Sequence, residues 1–138
     1  MKYFSYSEFF RSDMAEKNNL VNIPSDEDLS KVLGNIKALV TNVLDPLRAM
    51  IARPIVITSG YRSPQVNKLV GGSNTSQHLS GKAADIHVQG YTPPQMDMVY
   101  RTIQMYYDFD QLILYPKKNI IHISWNGDKN RQESWVKA

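Results

Sequence analysis

The sequence predicts an α+β domain built as a mixed or antiparallel sheet covered by helices. Three observations carry this expectation. Apolar residues recur at helical spacing from Asp26 to about Met50, and β-branched runs become frequent after Pro54. Read in order, the elements run α-α-β-α-β-α-β-β, with helices dominating the first part and two consecutive strands at the end. With 138 residues, 42% of them hydrophobic and 21% charged, the chain can bury a core without staples and lacks the composition of a disordered segment. A single domain over residues 1–138 is expected, with a helical part at 1–53, a core at 54–125 and a tail at 126–138.

Each element has a local reason. Ser7-Glu8-Phe9-Phe10 opens a short helix with Ser7 as its cap, and Val21 to Ser25 is a connector ending in a turn. In the long helix that follows, Leu29, Val32, Leu33, Ile36, Leu39, Val40, Val43, Leu44 and Leu47 recur at helical spacing. Pro46 lacks an amide donor and crowds the turn before it, so it should kink or divide that helix. Pro54 to Thr58 reads as a strand. Ser59-Gly60-Tyr61-Arg62-Ser63-Pro64 then turns into a short helix, Gln65 to Leu69, and Gly71 to Ser76 form a polar loop. Ala83 to Val88 is a second strand, and Thr92 to Tyr107 a helix with Pro93 and Pro94 in its first turn. Phe109 to Tyr115 and Asn119 to Trp125 are strands joined by Pro116-Lys117-Lys118 as a hairpin.

Composition excludes several functions. There is no cysteine, hence no disulfide, thiolate metal site or cysteine nucleophile. The net charge of +3 and pI near 9.1 are mildly basic, but the lysines and arginines are scattered without interleaved aromatics, so no nucleic-acid partner is expected. No apolar run approaches the ~18 residues of a membrane span, and Met1 to Glu8 lack the apolar core of a signal peptide. A monomer without membrane attachment is the expectation.

Chemistry is concentrated in Ser76-Gln77-His78-Leu79-Ser80-Gly81-Lys82-Ala83-Ala84-Asp85, with His122 downstream in Ile121-His122-Ile123-Ser124. Two imidazoles and a carboxylate are the donor set of a hydrolytic zinc site that keeps one position open. His78 and Asp85 are seven residues apart, and a turn at Gly81 can fold that interval back; His122 lies 37 residues beyond Asp85 and must come from another element. Alternate strand residues share a face, so Asp85 and His87 point one way, as do His122 and Ser124. If the strands are neighbours, His78, Asp85 and His122 converge.

The pattern Ser76-x-His78-x-x-Gly81-x-Ala83-x-Asp85, preceded by Ser59-Gly60-Tyr61-Arg62-Ser63 and followed by a histidine in an apolar strand, resembles the zinc D-alanyl-D-alanine carboxypeptidase family. That family includes the D-Ala-D-Ala dipeptidases and the L-alanyl-D-glutamate endopeptidases of phage lysins. It shares its zinc-site architecture with lysostaphin-type peptidases and the hedgehog signalling domain. The resemblance runs from about Pro54 to Trp125, and the short phage-type members look closest. It implies one zinc ion per chain held by His78, Asp85 and His122, with Arg62 binding substrate and polarising the scissile carbonyl. It also implies a peptidoglycan peptide as substrate, and a protein made in the cytoplasm that reaches the cell wall after release or within a phage particle.

One position departs from the family pattern. Its members usually place a carboxylate three residues before the last zinc histidine, as general base; here Asn119 stands there and cannot accept a proton. Candidate substitutes are His87, on the face of Asp85, and Asp110, on the strand expected beside that of His122. Ser76 and Ser124 are candidate substrate contacts, with a loop-closing hydroxyl and a plain strand serine as the alternatives. Two functions follow: a zinc peptidase acting on peptidoglycan stem peptides, as a carboxypeptidase or an endolysin-type endopeptidase, or a catalytically impaired zinc-containing module that binds cell wall or belongs to a virion.

Overall fold

Helical spacing and β-branched runs become six α-helices and five strands in a computed structural model describing residues 1–138. The helices are α1 (Tyr6–Phe10), α2 (Asp13–Lys17), α3 (Asp26–Leu39), α4 (Asp45–Ile51), α5 (Pro64–Leu69) and α6 (Pro93–Tyr106). Strands β1 (Ile55–Ser59), β2 (Ala83–Val88), β3 (Gln111–Tyr115), β4 (Ile120–Ser124) and β5 (Glu133–Val136) form one sheet in the order β1-β2-β4-β3-β5. Neighbours are antiparallel except β3 and β5, which run parallel. The fold class is therefore α+β with a mixed sheet.

Three local features differ from the sequence expectation. α1 begins at Tyr6, with its cap two residues earlier than expected, because the Glu8 carboxylate accepts the Ser5 amide at 2.9 Å and makes Ser5 the cap. α2 and β5 are additional; both are short, and neither carries enough apolar repeats to announce itself. Pro46 divides the long helix as expected, and the local device is a widened turn just before it. Val40–Leu44 widen into a π turn in which the Asp45 amide reaches back to the Val40 carbonyl, and Pro46 falls in the first turn of α4. The wider turn accommodates a residue that has no amide and crowds the carbonyl four positions before it.

Strand alternation decides which face of the sheet is dry. Ile55, Ile57, Ala84, Ile86, Val88, Leu112, Leu114, Ile121 and Ile123 point into a core completed by Val32, Ile36, Leu39, Val43, Leu44 and Leu47 of the α3–α4 helix and by Met96, Val99, Tyr100 and Ile103 of α6. Their alternates, Asp85, His87, Ile113, Tyr115 and His122, take the opposite face, which no helix of that core covers. Hydrophobic burial thus holds one side of the sheet rigid while chemistry occupies the other. No helix is long and apolar enough to cross a membrane.

Candidate metal centre

Antiparallel register places Asp85 of β2 directly opposite His122 of β4. His78 arrives from a 3₁₀ turn, Gln77–Ser80, that precedes β2. The Ser76 hydroxyl caps this turn by accepting the His78 amide at 3.2 Å. Gly81 ends it with φ +76, where a Cβ would also meet Val32 at 3.0 Å, so glycine is required on both counts. The candidate ligand atoms of His78, Asp85 and His122 lie within 4.8 Å of one another.

The donor atoms are oriented as well as close. His78 Nδ1 donates to the Gly60 carbonyl at 2.7 Å, which leaves the Nε2 lone pair facing Asp85 Oδ1 at 3.4 Å. His122 Nδ1 lies 2.9 Å from the same carboxylate oxygen. Tetrahedral zinc with bonds of about 2.0–2.1 Å requires donors about 3.3 Å apart, close to these spacings, so the residues fit the ion. Burial raises the Asp85 carboxyl, but hydrogen bonds from His122 and His78 outweigh it and hold the group far below the usual carboxylate range. Asp85 is thus an anion wherever the imidazoles are free to bind metal.

Arg62 stands beside the centre because its turn is tied down on several sides. Its amide donates to the His78 carbonyl at 3.0 Å, and its guanidinium reaches Ser59 Oγ at 3.0 Å, Asn67 Oδ1 at 3.4 Å and Asp85 Oδ2 at 3.4 Å. Burial lowers the Arg62 pKa and the Asp85 charge opposes that shift; the guanidinium stays charged. Buried Asn22 braces the turn from the N-terminal segment, donating to the Phe10 and Tyr61 carbonyls and accepting the Ser63 amide at 2.7 Å. Nothing in the sequence around Asn22 signals that role.

These residues floor a cleft of about 650 Å³. Arg62 and Ser76 line it together with His78, Asp85 and His122. The cleft also exposes groups that the sequence did not single out: Gln77, Tyr115, Lys118, Arg131 and Lys137. Asp85 is its one lining carboxylate. Gln77 lay inside the motif at an unconstrained position. The other four come from the hairpin and tail, whose docking no local pattern reveals. Burial and the Asp85 charge raise the Tyr115 phenol, which therefore remains a hydrogen-bond donor at neutral pH.

Four sequence candidates are not brought to the metal centre. Asn119 lies in the hairpin turn just before β4, outside the strand itself. Its backbone is left-handed with φ 54, and its side-chain amide donates to the Tyr91 carbonyl at 2.9 Å. His87 shares the Asp85 face, but its Nδ1 meets the Asn119 carbonyl at 2.9 Å and the ring does not line the cleft. Ser124 is fully buried, with Oγ accepting the Gln111 amide at 3.0 Å, which removes it from substrate contact. Asp110 is fully buried under Arg131 and Gln77, which donate to it at 2.7–2.9 Å.

Two predictions follow from these placements. Asn119→Asp is expected to leave turnover within about twofold of wild type. It should destabilise the fold by roughly 1–3 kcal/mol in denaturant melts, since it sets a carboxylate against the Tyr91 carbonyl; a large gain in hydrolysis would return position 119 to the active site. For Asp110, hydrogen bonds from Arg131 lead the shift that brings its carboxyl down to about 2, against ~3.9 in an unfolded chain. The folded value is the lower one, so its stabilisation is complete above about pH 4 and fades as pH falls towards 2. Asp110→Asn should flatten the acid limb of thermal stability in that window by on the order of 1–2 kcal/mol, discounted for the half-exposed guanidinium. An unchanged limb would contradict this assignment.

Comparison with curated proteins finds no match. Residues 2–124, however, match the family described as Peptidase M15. The matched stretch holds Arg62, His78, Asp85 and His122 and stops at the end of β4, leaving β5 outside it. The chain belongs to the M15 family of zinc peptidases, of the D-Ala-D-Ala carboxypeptidase and endopeptidase type.

Proposed function

We propose that this protein is a zinc peptidase that hydrolyses peptide bonds in peptidoglycan stem peptides, with one zinc per chain held by His78 Nε2, Asp85 and His122 Nδ1. The observation that carries the reading is the convergence of those three donors beside Arg62 on the floor of an open, cation-lined cleft. Bound there, zinc would supply Lewis acidity towards a peptide carbonyl and towards water. Arg62 aims its guanidinium at the same place from a fixed position, suited to an anionic substrate group or to negative charge developing on the carbonyl oxygen. Tyr115, a neutral phenol lining the same cleft, can donate a hydrogen bond to the substrate. Action on the cell wall, after release or as part of a phage particle, accords with such a substrate.

A specific observation favours a second reading. Apart from the three candidate ligands, no carboxylate or imidazole lines the cleft, so the chain offers no general base within it. General-base assistance is typically worth ~10²–10⁴-fold in rate, and its absence suits a zinc-containing cell-wall-binding module. Incubating zinc-loaded protein with purified peptidoglycan and with an all-L peptide separates the readings. A peptidase of the proposed kind releases stem-peptide fragments, seen by mass spectrometry, and spares the all-L peptide. Sedimentation with peptidoglycan and no fragment release identifies the binding module, whereas equal cleavage of the all-L peptide overturns the substrate class.

A further inference from the structure

One wall of the cleft is completed by the tail that lies outside the family match. β5 pairs with β3, and the Lys137 amide continues the ladder by donating to the Leu114 carbonyl at 2.9 Å. That anchor puts the Lys137 ammonium 6.0 Å from the centre of the Tyr115 ring, while the hairpin turn puts the Lys118 ammonium 5.5 Å from the same ring. All three side chains line the cleft. Its other cations have carboxylate partners: Arg62 faces Asp85, and Arg131 is held by Asp110 and Glu133. Neither Lys118 nor Lys137 has one. Two uncompensated charges therefore converge on one aromatic platform.

Strand register measures how far this platform stands from the metal centre. Ile113 is paired with His122, and Tyr115 lies two residues further along β3 on the same face, about 7 Å away. An extended peptide advances about 3.4 Å per residue. A substrate group held over Tyr115 thus belongs to a residue one or two positions from the bond at the metal centre.

We propose that Lys118 and Lys137, gathered over the Tyr115 ring, form a subsite for an internal carboxylate, distinct from the peptide's C-terminus, carried by a residue one or two positions from the scissile bond. The location of that bond rests on the peptidase reading. Each exposed ammonium alone discriminates weakly; two sharing one anion, neither of them ion-paired within the protein, give a usable preference.

The test uses the full-length, zinc-loaded protein and two synthetic peptides, L-Ala-γ-D-Glu-L-Lys-D-Ala-D-Ala with its glutamate α-carboxylate either free or amidated. Peptides that are cut report the preference as kcat/KM, and peptides that stay intact report it as Kd by calorimetry. Wild type should favour the free carboxylate by about 5–20-fold, through KM and not kcat, with the preference shrinking at high salt. The Lys118→Ala/Lys137→Ala double variant should reduce the preference to below about twofold, and Lys118→Arg/Lys137→Arg should retain it. Equal values for both peptides in wild type, whether cut or intact, overturn the subsite, as does a preference that survives the double alanine variant. Intact peptides that still differ in Kd would instead reject the peptidase reading and leave the subsite standing.

Discussion

His122→Ala is expected to lower bound zinc from about one per chain to below about a tenth, and to cut stem-peptide hydrolysis by ~10³-fold or more. The substitution takes one of three donors from a centre whose geometry depends on all of them. It should leave the fold standing, because His122 lies on the sheet face opposite the core formed by Ile121 and Ile123. Thermal melting supplies an independent check. A ligand that binds only the folded chain stabilises it, so chelation should lower the wild-type melting temperature by roughly 5 °C or more. The variant should melt at the same temperature with or without chelator. Near-full zinc retention in His122→Ala would remove that residue from the metal centre.

Arg62→Ala should reduce kcat/KM by about 10²–10³-fold while zinc content stays at the wild-type level. The guanidinium is held by Ser59, Asn67 and Asp85 at once, and its side chain is only 16% exposed, so it is fixed in position before any substrate arrives. Such preorganisation is what makes an electrostatic contact effective in a transition state. Arg62→Lys should rescue little, because a single ammonium cannot reach three acceptors that lie around a planar fork. Turnover unaffected by either substitution would reduce Arg62 to a brace for the Ser59–Ser63 turn.

Much of this site is legible in the chain because its parts are local. The interval from Ser76 to Asp85 contains a cap, a ligand, a left-handed glycine and the start of a strand, each tied to its position by backbone geometry. The β-branched runs of β1, β2 and β4 are equally plain, since their core-facing alternates must be apolar. What the sequence conceals depends on distant docking or on backbone detail. Asn119 illustrates the latter: counting three residues back from His122 ignores the left-handed turn that sends its amide to Tyr91. Asp110 sits on the expected hairpin, yet Arg131 from the tail claims its carboxylate. The four residues of β5 are largely exposed and carry no periodic signal, so nothing local foretells that they bring Arg131 and Lys137 to the cleft.

Titrating zinc into chelated wild-type protein while counting stem-peptide fragments tests the metal centre and the activity in one measurement. Turnover should be absent at the start, rise in proportion to added zinc and level off at about one ion per chain, with no rise in His122→Ala. Full turnover in the chelated protein, or saturation with zinc that yields no fragments at all, would contradict the assignment of peptidase activity to His78, Asp85 and His122.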